Sequence, residues 1–148
     1  MNNAAFKSAS FLVCILASLV ALASCVSPEV VIPKCEMTIV HSYPSDRDTG
    51  IKTDSEALVV FSQEVATDVV EKHVYVDRSL NGSWVAEPIT YTYEMKDSGF
   101  YVQMISQGGT WVAATTYRVT VNAGNGIPSK DGNCVLTTGT EIVFTTAQ

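Results

Sequence analysis

From about residue 36 onward, apolar side chains recur at every second position rather than every 3.6. Successive side chains in extended backbone point to opposite faces, so period two marks strands with one face buried and one wet. Ile89-Thr-Tyr-Thr-Tyr-Glu-Met95 is the cleanest case. Ile89, Tyr91, Tyr93 and Met95 are expected on one face, and Thr90, Thr92 and Glu94 on the other. The same reading sets Ala57, Val59 and Phe61 against Leu58, Val60 and Ser62, and Val74 and Val76 against His73, Tyr75 and Asp77. It sets Phe100, Val102 and Met104 against Tyr101 and Gln103, and Tyr117, Val119 and Val121 against Arg118, Thr120 and Asn122. Ile142 and Phe144 alternate with Val143 and Thr145. β-Branched and aromatic residues dominate these runs, as a pleated, half-buried surface prefers.

Turn residues punctuate the runs. Asn81-Gly82 predicts a two-residue hairpin, because both central positions of that turn need positive φ. Lys96-Asp-Ser-Gly99, Gln107-Gly-Gly-Thr110 and Lys130-Asp-Gly-Asn133 read as further turns. After the leader, no window of helical length shows a helical pattern; Glu64 to Lys72 has room for one turn. About seven or eight short strands joined by turns predict an all-β sandwich. No fixed-period repeat is present.

The chain has 148 residues, enough for one domain or one domain with a processed leader. Hydrophobic residues at 47% against 16% charged ones exclude wholesale disorder. Nine Lys and Arg against 15 Asp and Glu give −6, which opposes binding to a phosphate backbone, so no nucleic-acid partner is expected.

The first residues differ from the rest. MNNAAFK is polar with one cation, Lys7, and Phe11 to Ala23 is apolar and uncharged. A membrane-spanning helix needs roughly 20 apolar residues, so this run suits a secretory signal peptide better. It ends Leu22-Ala-Ser-Cys25, an aliphatic residue, two small residues and a thiol, which resembles the lipobox of bacterial lipoproteins. The resemblance implies cleavage before Cys25, diacylglycerol on its sulfur, and usually a further acyl chain such as palmitate on the new amino terminus. The expected division is a signal peptide over 1–24, the lipidated cysteine and an extended tether over 25–34, and the sandwich over 35–148. Two or more acyl chains hold firmly where one holds only marginally. Val26 stands where an inner-membrane lipoprotein often carries Asp, which favours the outer membrane. Loss of residues 1–24 removes one base and no acid, taking −6 to −7. Such a domain is repelled by anionic headgroups, so the lipid must do the holding. The segment VSPEVVIPK, with Pro28 and Pro33, would reach roughly 28 Å if extended.

From about residue 40 to 147 the chain resembles the bacterial immunoglobulin-like domains of the S-layer-protein type. The likeness rests on Ser42-Tyr-Pro-Ser-Asp-Arg-Asp-Thr-Gly-Ile51, on Ala57-Leu-Val-Val-Phe-Ser62 with Gln63-Glu-Val65, and most on the closing part. There Thr116-Tyr-Arg-Val-Thr-Val121, Asp131-Gly-Asn133 and Ile142-Val-Phe-Thr-Thr146 are similar to the family's last strands and their loop. The resemblance implies an immunoglobulin-like β-sandwich. Tyr117, inward at the start of its strand, falls where such folds place a tyrosine corner, whose hydroxyl bonds nearby backbone. Family members commonly stand in tandem as spacers or adhesive modules. A single domain behind a lipid tether instead implies a compact binding protein of the cell envelope, or a subunit of something larger.

The chain has four cysteines. Cys14 would leave with the leader and Cys25 would take lipid. Cys35 and Cys134 remain, in an oxidising compartment. In immunoglobulin-like sandwiches part of the first strand runs parallel beside the last, and this implies a Cys35–Cys134 disulfide pinning the tether to the body. Closing a loop of roughly 100 residues stabilises by up to about 4.7 kcal/mol in the chain-entropy model.

No catalytic set, metal site or cofactor motif is found. His41 and His73 lack a ligand spacing, and His73 reads as a solvated residue on the outward face of a strand. No Gly-x-Ser-x-Gly is present. Asp46-x-Asp48-x-Gly50 starts like a calcium loop, but Ala57 stands at the twelfth position, so it reads as a turn. Asn81-Gly-Ser83 matches a glycosylation sequon and reads as the hairpin turn. Trp84, Trp111, Tyr75 and Tyr101 fall outside the clean inward sets. Either the tryptophans cover the open ends of the sandwich, or the four form a contact patch. The expected activity is non-enzymatic: a lipid-anchored envelope module for a protein partner. The alternatives are a carbohydrate- or peptidoglycan-binding module and an accessory subunit that pairs through a strand edge.

Overall fold

The alternating runs pair as their periodicity requires. The computed structural model describes residues 35–148, so the signal region, Cys25 and the tether lie outside the described residues. Twelve strands and one helix follow in order: β1 (Cys35–Glu36), β2 (Ile39–Tyr43), β3 (Asp48–Ile51), β4 (Ala57–Phe61), α1 (Thr67–His73), β5 (Val74–Leu80), β6 (Ser83–Ala86), β7 (Ile89–Lys96), β8 (Gly99–Ser106), β9 (Thr116–Val121), β10 (Ile127–Pro128), β11 (Cys134–Leu136) and β12 (Thr140–Thr146). A four-stranded sheet has the order β2-β4-β8-β7 and a five-stranded sheet the order β3-β12-β9-β5-β6. A small third sheet, β1-β11-β10, completes the sandwich. The excess over the expected seven or eight strands comes mainly from that ribbon, whose strands have two or three residues.

The core lies between the two large sheets. Val59, Phe61, Val102 and Met104 come from one, and Val74, Val76, Tyr117, Val119, Val121, Ile142 and Phe144 from the other, all buried. Full burial of such a side chain stabilises by about 1.5–3 kcal/mol. Ile89, Tyr91 and Tyr93 of β7 pack against this core as their alternation predicts. Met95 does not: it is 57% exposed, although its register partner Phe100 is buried in the core. Val60 also departs, being buried although its position is outward. Gly99 borders it there, at φ +140°, where an added Cβ would collide with Phe61 O and Val60 Cγ1. Between β5 and β6 the hairpin closes as expected, with Asn81 at φ 51°, Gly82 at φ 80° and Leu80 paired with Ser83.

α1 has seven residues, more than the single turn expected, and it buries Val70. Val74, β-branched and extended, ends it. His73 is therefore the last helical residue and not an outward strand residue; its Nδ1 lies 2.8 Å from Asn122 O. Tyr91 donates its hydroxyl to Val74 O at 2.7 Å, and Tyr93 donates to Glu71 Oε1 at 3.1 Å, tying β7 to the helix end. Burial of Tyr93 and its bond to Glu71 push its pKa above the ordinary tyrosine value, so the hydroxyl stays a donor.

Cys35 and Cys134 form the expected disulfide across 99 positions of sequence, with Cα atoms 4.5 Å apart. The neighbouring strand differs from expectation. Cys134 sits in β11, which pairs parallel with β1, whereas the parallel neighbour of the last strand β12 is β3.

Candidate functional site

The outer face of the five-stranded sheet carries the most organised set of side chains outside the core. Strand register builds it. Arg118 on β9 stands opposite Asp77 on β5, and Thr120 stands opposite Tyr75 on one side and Glu141 of β12 on the other. Trp84 of the edge strand β6 is paired with Ser79 on the same face. Arg118 Nη2 donates to Asp77 Oδ2 at 2.7 Å, and its Nη1 lies 3.7 Å from Glu141 Oε1. The guanidinium carbon stands 4.6 Å from the centroid of the Trp84 ring, a cation–π contact. The hydrogen bond to Asp77 holds the Arg118 pKa above its ordinary value, so the charge is permanent. Trp84 remains 41% exposed and Tyr75 38% exposed. The result is a fixed cation between two carboxylates, with an indole against it and a phenol farther along the same face.

The four aromatics singled out by sequence do not form one patch. Trp84 and Tyr75 share the face just described. Tyr101 lies on the outer face of the other sheet, where Ser98 Oγ is 2.6 Å from its hydroxyl and Lys96 Nζ stands 4.6 Å from its ring centroid. Trp111 is not a surface residue. It is 3% exposed and closes one end of the sandwich, its Nε1 donating to Ser55 O at 2.6 Å. Its ring lies 4.9 Å from Tyr117 and 5.8 Å from Phe144, centroid to centroid. Of the two readings left open for it, covering the open end is the one realised. Tyr117 is fully buried, and its hydroxyl accepts from Val112 N at 2.8 Å, five residues upstream, as a tyrosine corner requires. Burial raises its pKa, which keeps the hydroxyl neutral.

The acidic turns serve the backbone. Asp48 Oδ2 accepts from Ser45 N at 2.8 Å and Asp46 Oδ1 from Val143 N at 2.9 Å; the turn read over Asp46–Gly50 is confined to Asp46 and Arg47, because Asp48 to Gly50 already lie in β3, which pairs with β12. Asp131 accepts from Ser129 Oγ at 2.5 Å and from Asn133 N at 3.1 Å, and these bonds lower its pKa. Ser129 Oγ in turn accepts from Cys134 N at 2.9 Å, bracing the loop before the disulfide. His41 is exposed on β2. Among the described residues, no group of three or more His, Cys, Asp or Glu side chains is placed to hold a metal ion. No helix among them is long and apolar enough to cross a membrane.

Arg118, Asp77 and Glu141 were not singled out by sequence. The signal available was weak: two of them occupy outward positions of alternating runs, and only register shows that their charges meet. A family model described as Bacterial Ig-like domain matches residues 34–146. No curated protein matches the chain.

Proposed function

This chain belongs to the bacterial Ig-like domain family, and on that premise we propose that it is a non-catalytic envelope module that holds a protein partner through the Trp84–Arg118 face. The observation that carries the reading is the exposed indole fixed against Arg118, itself bonded to Asp77. Trp, Tyr and Arg dominate interface hot spots, because each offers large contact area with little rotamer freedom left to lose once it is held. Asp77 and Trp84 provide that holding in the free protein, so binding orders less.

The lipobox-like Leu22-Ala-Ser-Cys25 supports membrane attachment through lipid on Cys25, with Val26 favouring the outer membrane. With a formal charge of −7 after cleavage, the domain would stand off an anionic surface and present its faces to neighbouring proteins.

The test is co-purification of the full chain from its native membrane after cross-linking, with intact mass measured on the same material. The mature chain is expected to start at Cys25 with added acyl mass, and a stoichiometric protein partner to be recovered. Trp84→Ala should lose that partner and Tyr101→Ala should keep it. Equal recovery from both variants removes the Trp84 face as the contact, and an unlipidated mass removes the anchor.

A further inference from the structure

We infer that the free edge of β6 pairs with the β6 edge of a second copy of this chain, antiparallel about a two-fold axis at Val85. This names the partner for the Trp84 side of the molecule, and it rests on the lipid-anchored, contact-face reading above. β6 ends the five-stranded sheet, and all four of its residues are exposed. Trp84 and Val85 are each 41% exposed and point to opposite faces, so both sides of this edge present apolar surface to water.

The other edges are protected and this one is not. Native sheets blunt their edges with charge, proline, bulges or covering elements. β2 has a bulge between Ile39 and His41. β7 carries Glu94 and Lys96, ion-paired at 2.8 Å. β3 begins at Asp48 and is bulged in its pairing with β12. In the small ribbon, β1 contains Glu36 and β10 contains Pro128. β6, Ser-Trp-Val-Ala, has no charge, no proline and no register break in its pairing with β5. The ionic groups that lie in register with it are already neutralised in pairs, Arg78 with Glu87 at 3.4 Å and Arg118 with Asp77 at 2.7 Å. The net charge of −6 opposes self-association in general, but this edge contributes nothing to that repulsion.

Register fixes how two copies meet. The Asn81-Gly82 turn makes Leu80 and Ser83 the hydrogen-bonded pair that closes the hairpin, and bonding alternates from there. Glu87 N donates to Val76 O at 2.9 Å, in phase with that alternation. Trp84 and Ala86 therefore turn their N–H and C=O groups away from β5, toward the open edge. Setting Trp84 opposite Ala86 of the second copy gives four N–H···O bonds, two in each of the two equivalent pairs. Setting Trp84 opposite Trp84 gives half as many. Setting Ala86 opposite Ala86 brings Trp84 against Pro88, which has no N–H and whose carbonyl already accepts from Gln107 N at 2.9 Å. The favoured register makes Val85 and its symmetry mate a non-hydrogen-bonded pair, with Cα atoms about 4.5 Å apart and side chains in contact. On the outer face it places the small Ala86 beside the indole.

The size of the edge selects the occupant. Four residues a side fall well short of the roughly 20–30 in a standard interface. So small a contact would not hold a dilute soluble partner, and the occupant must already be concentrated beside it. A second copy tethered in the same membrane is, with an effective concentration that reaches roughly the millimolar range.

Val85→Cys in the full chain, oxidised with copper phenanthroline in its native membrane, tests this. Cys35 and Cys134 are bonded to each other, so neither competes for the introduced thiol. Most of the chain should run as a disulfide-linked dimer on a non-reducing gel. Val40→Cys, at a position 54% exposed on the edge of the other sheet, should stay monomeric. Adding Ala86→Pro to Val85→Cys deletes two of the four bonds and none to β5, so the dimer should fall roughly tenfold with the melting temperature little changed. If Ala86→Pro melts early, Ala86→Phe takes its place: it keeps the N–H, crowds the indole of the second copy and should give the same loss. No dimer from Val85→Cys, equal dimer from Val40→Cys, or a yield unchanged by a folded position-86 variant overturns the pairing. A different protein recovered through Trp84, with no Val85→Cys dimer, overturns this inference alone and leaves the contact-face reading standing. Recovery of neither removes both.

Discussion

The two tryptophans occupy regions that look alike in sequence and are opposite in structure. Trp111 follows Gly108-Gly109 in a loop, and Trp84 follows Asn81-Gly82 in a hairpin. Yet Trp111 is sealed in the end of the sandwich against Tyr117 and Phe144, while Trp84 stands on an edge strand with its ring half in water. The difference follows from what each ring can reach. The loop carrying Trp111 folds over an open end, where apolar side chains of both sheets would otherwise meet water. Its indole N–H finds Ser55 O there, so burial leaves no donor unpaired. Trp84 alternates outward on β6, and the partner available on that face is a guanidinium. One indole is sealed into the fold, and the other is held at the surface against Arg118.

Stability separates the two most sharply. Trp111→Ala should cost about 3–5 kcal/mol, the usual range for truncating a buried aromatic. A domain of this size has roughly 5–15 kcal/mol in total, so the variant should melt far lower or not fold. Trp111→Phe then serves as the milder probe, keeping much of the packing but leaving Ser55 O unpaired. Trp84→Ala should cost less than about 1 kcal/mol. Urea midpoints of the three variants check the contrast, and comparable losses at 84 and 111 would break it.

What was legible in the chain divides along the same line. Alternation located Ile89–Tyr93, Phe100–Met104 and Tyr117–Val121 on their correct faces, because a half-buried strand writes its orientation into every second residue. Asn81-Gly82 fixed a hairpin through a steric requirement for positive φ. Tyr117 was legible through its position at the start of an alternating strand together with the family resemblance. Trp111 was not, because a loop residue has no period and so no face. His73 was misplaced because alternation from Val74 was extended one residue too far, into the end of α1. The β1-β11-β10 ribbon was missed because strands of two or three residues cannot show a period. Thr120 was correctly outward, yet it is buried by Tyr75 and Glu141, which lie far off in sequence. Register brings the members of the candidate sites together, and register follows from turn geometry and whole-sheet packing more than from any one strand's residues.

A second contrast concerns how the Trp111 end is held. Tyr117→Phe keeps the ring against Trp111 and Phe144 but removes the acceptor of Val112 N–H. The expected loss is about 1 kcal/mol, the net value of one such hydrogen bond. Faster amide exchange at Val112, with unchanged protection in β5 and β8, would localise the effect to the corner. If the midpoint does not move, ring packing alone closes that end, and the bonded hydroxyl is incidental to it.

The smallest expected effect bears on whether the outer face is organised at all. Arg118→Ala is a poor probe by itself, since it strips Asp77, whose side chain is 14% exposed, of its partner. Arg118→Lys keeps a positive charge near Asp77 and gives up the planar group that lies over the indole. A double-mutant cycle of Arg118→Lys with Trp84→Ala therefore isolates the stacking contact from the ion pair. The coupling should be about 0.5 kcal/mol, in line with an exposed cation–π contact. It should persist at high salt better than the Asp77 pairing, because part of it is dispersion between flat surfaces. A coupling of zero would mean that ring and guanidinium are neighbours without interaction. Trp84 would then be as free to reorient as any surface residue, and the entropy argument for a pre-organised contact face would fail with it.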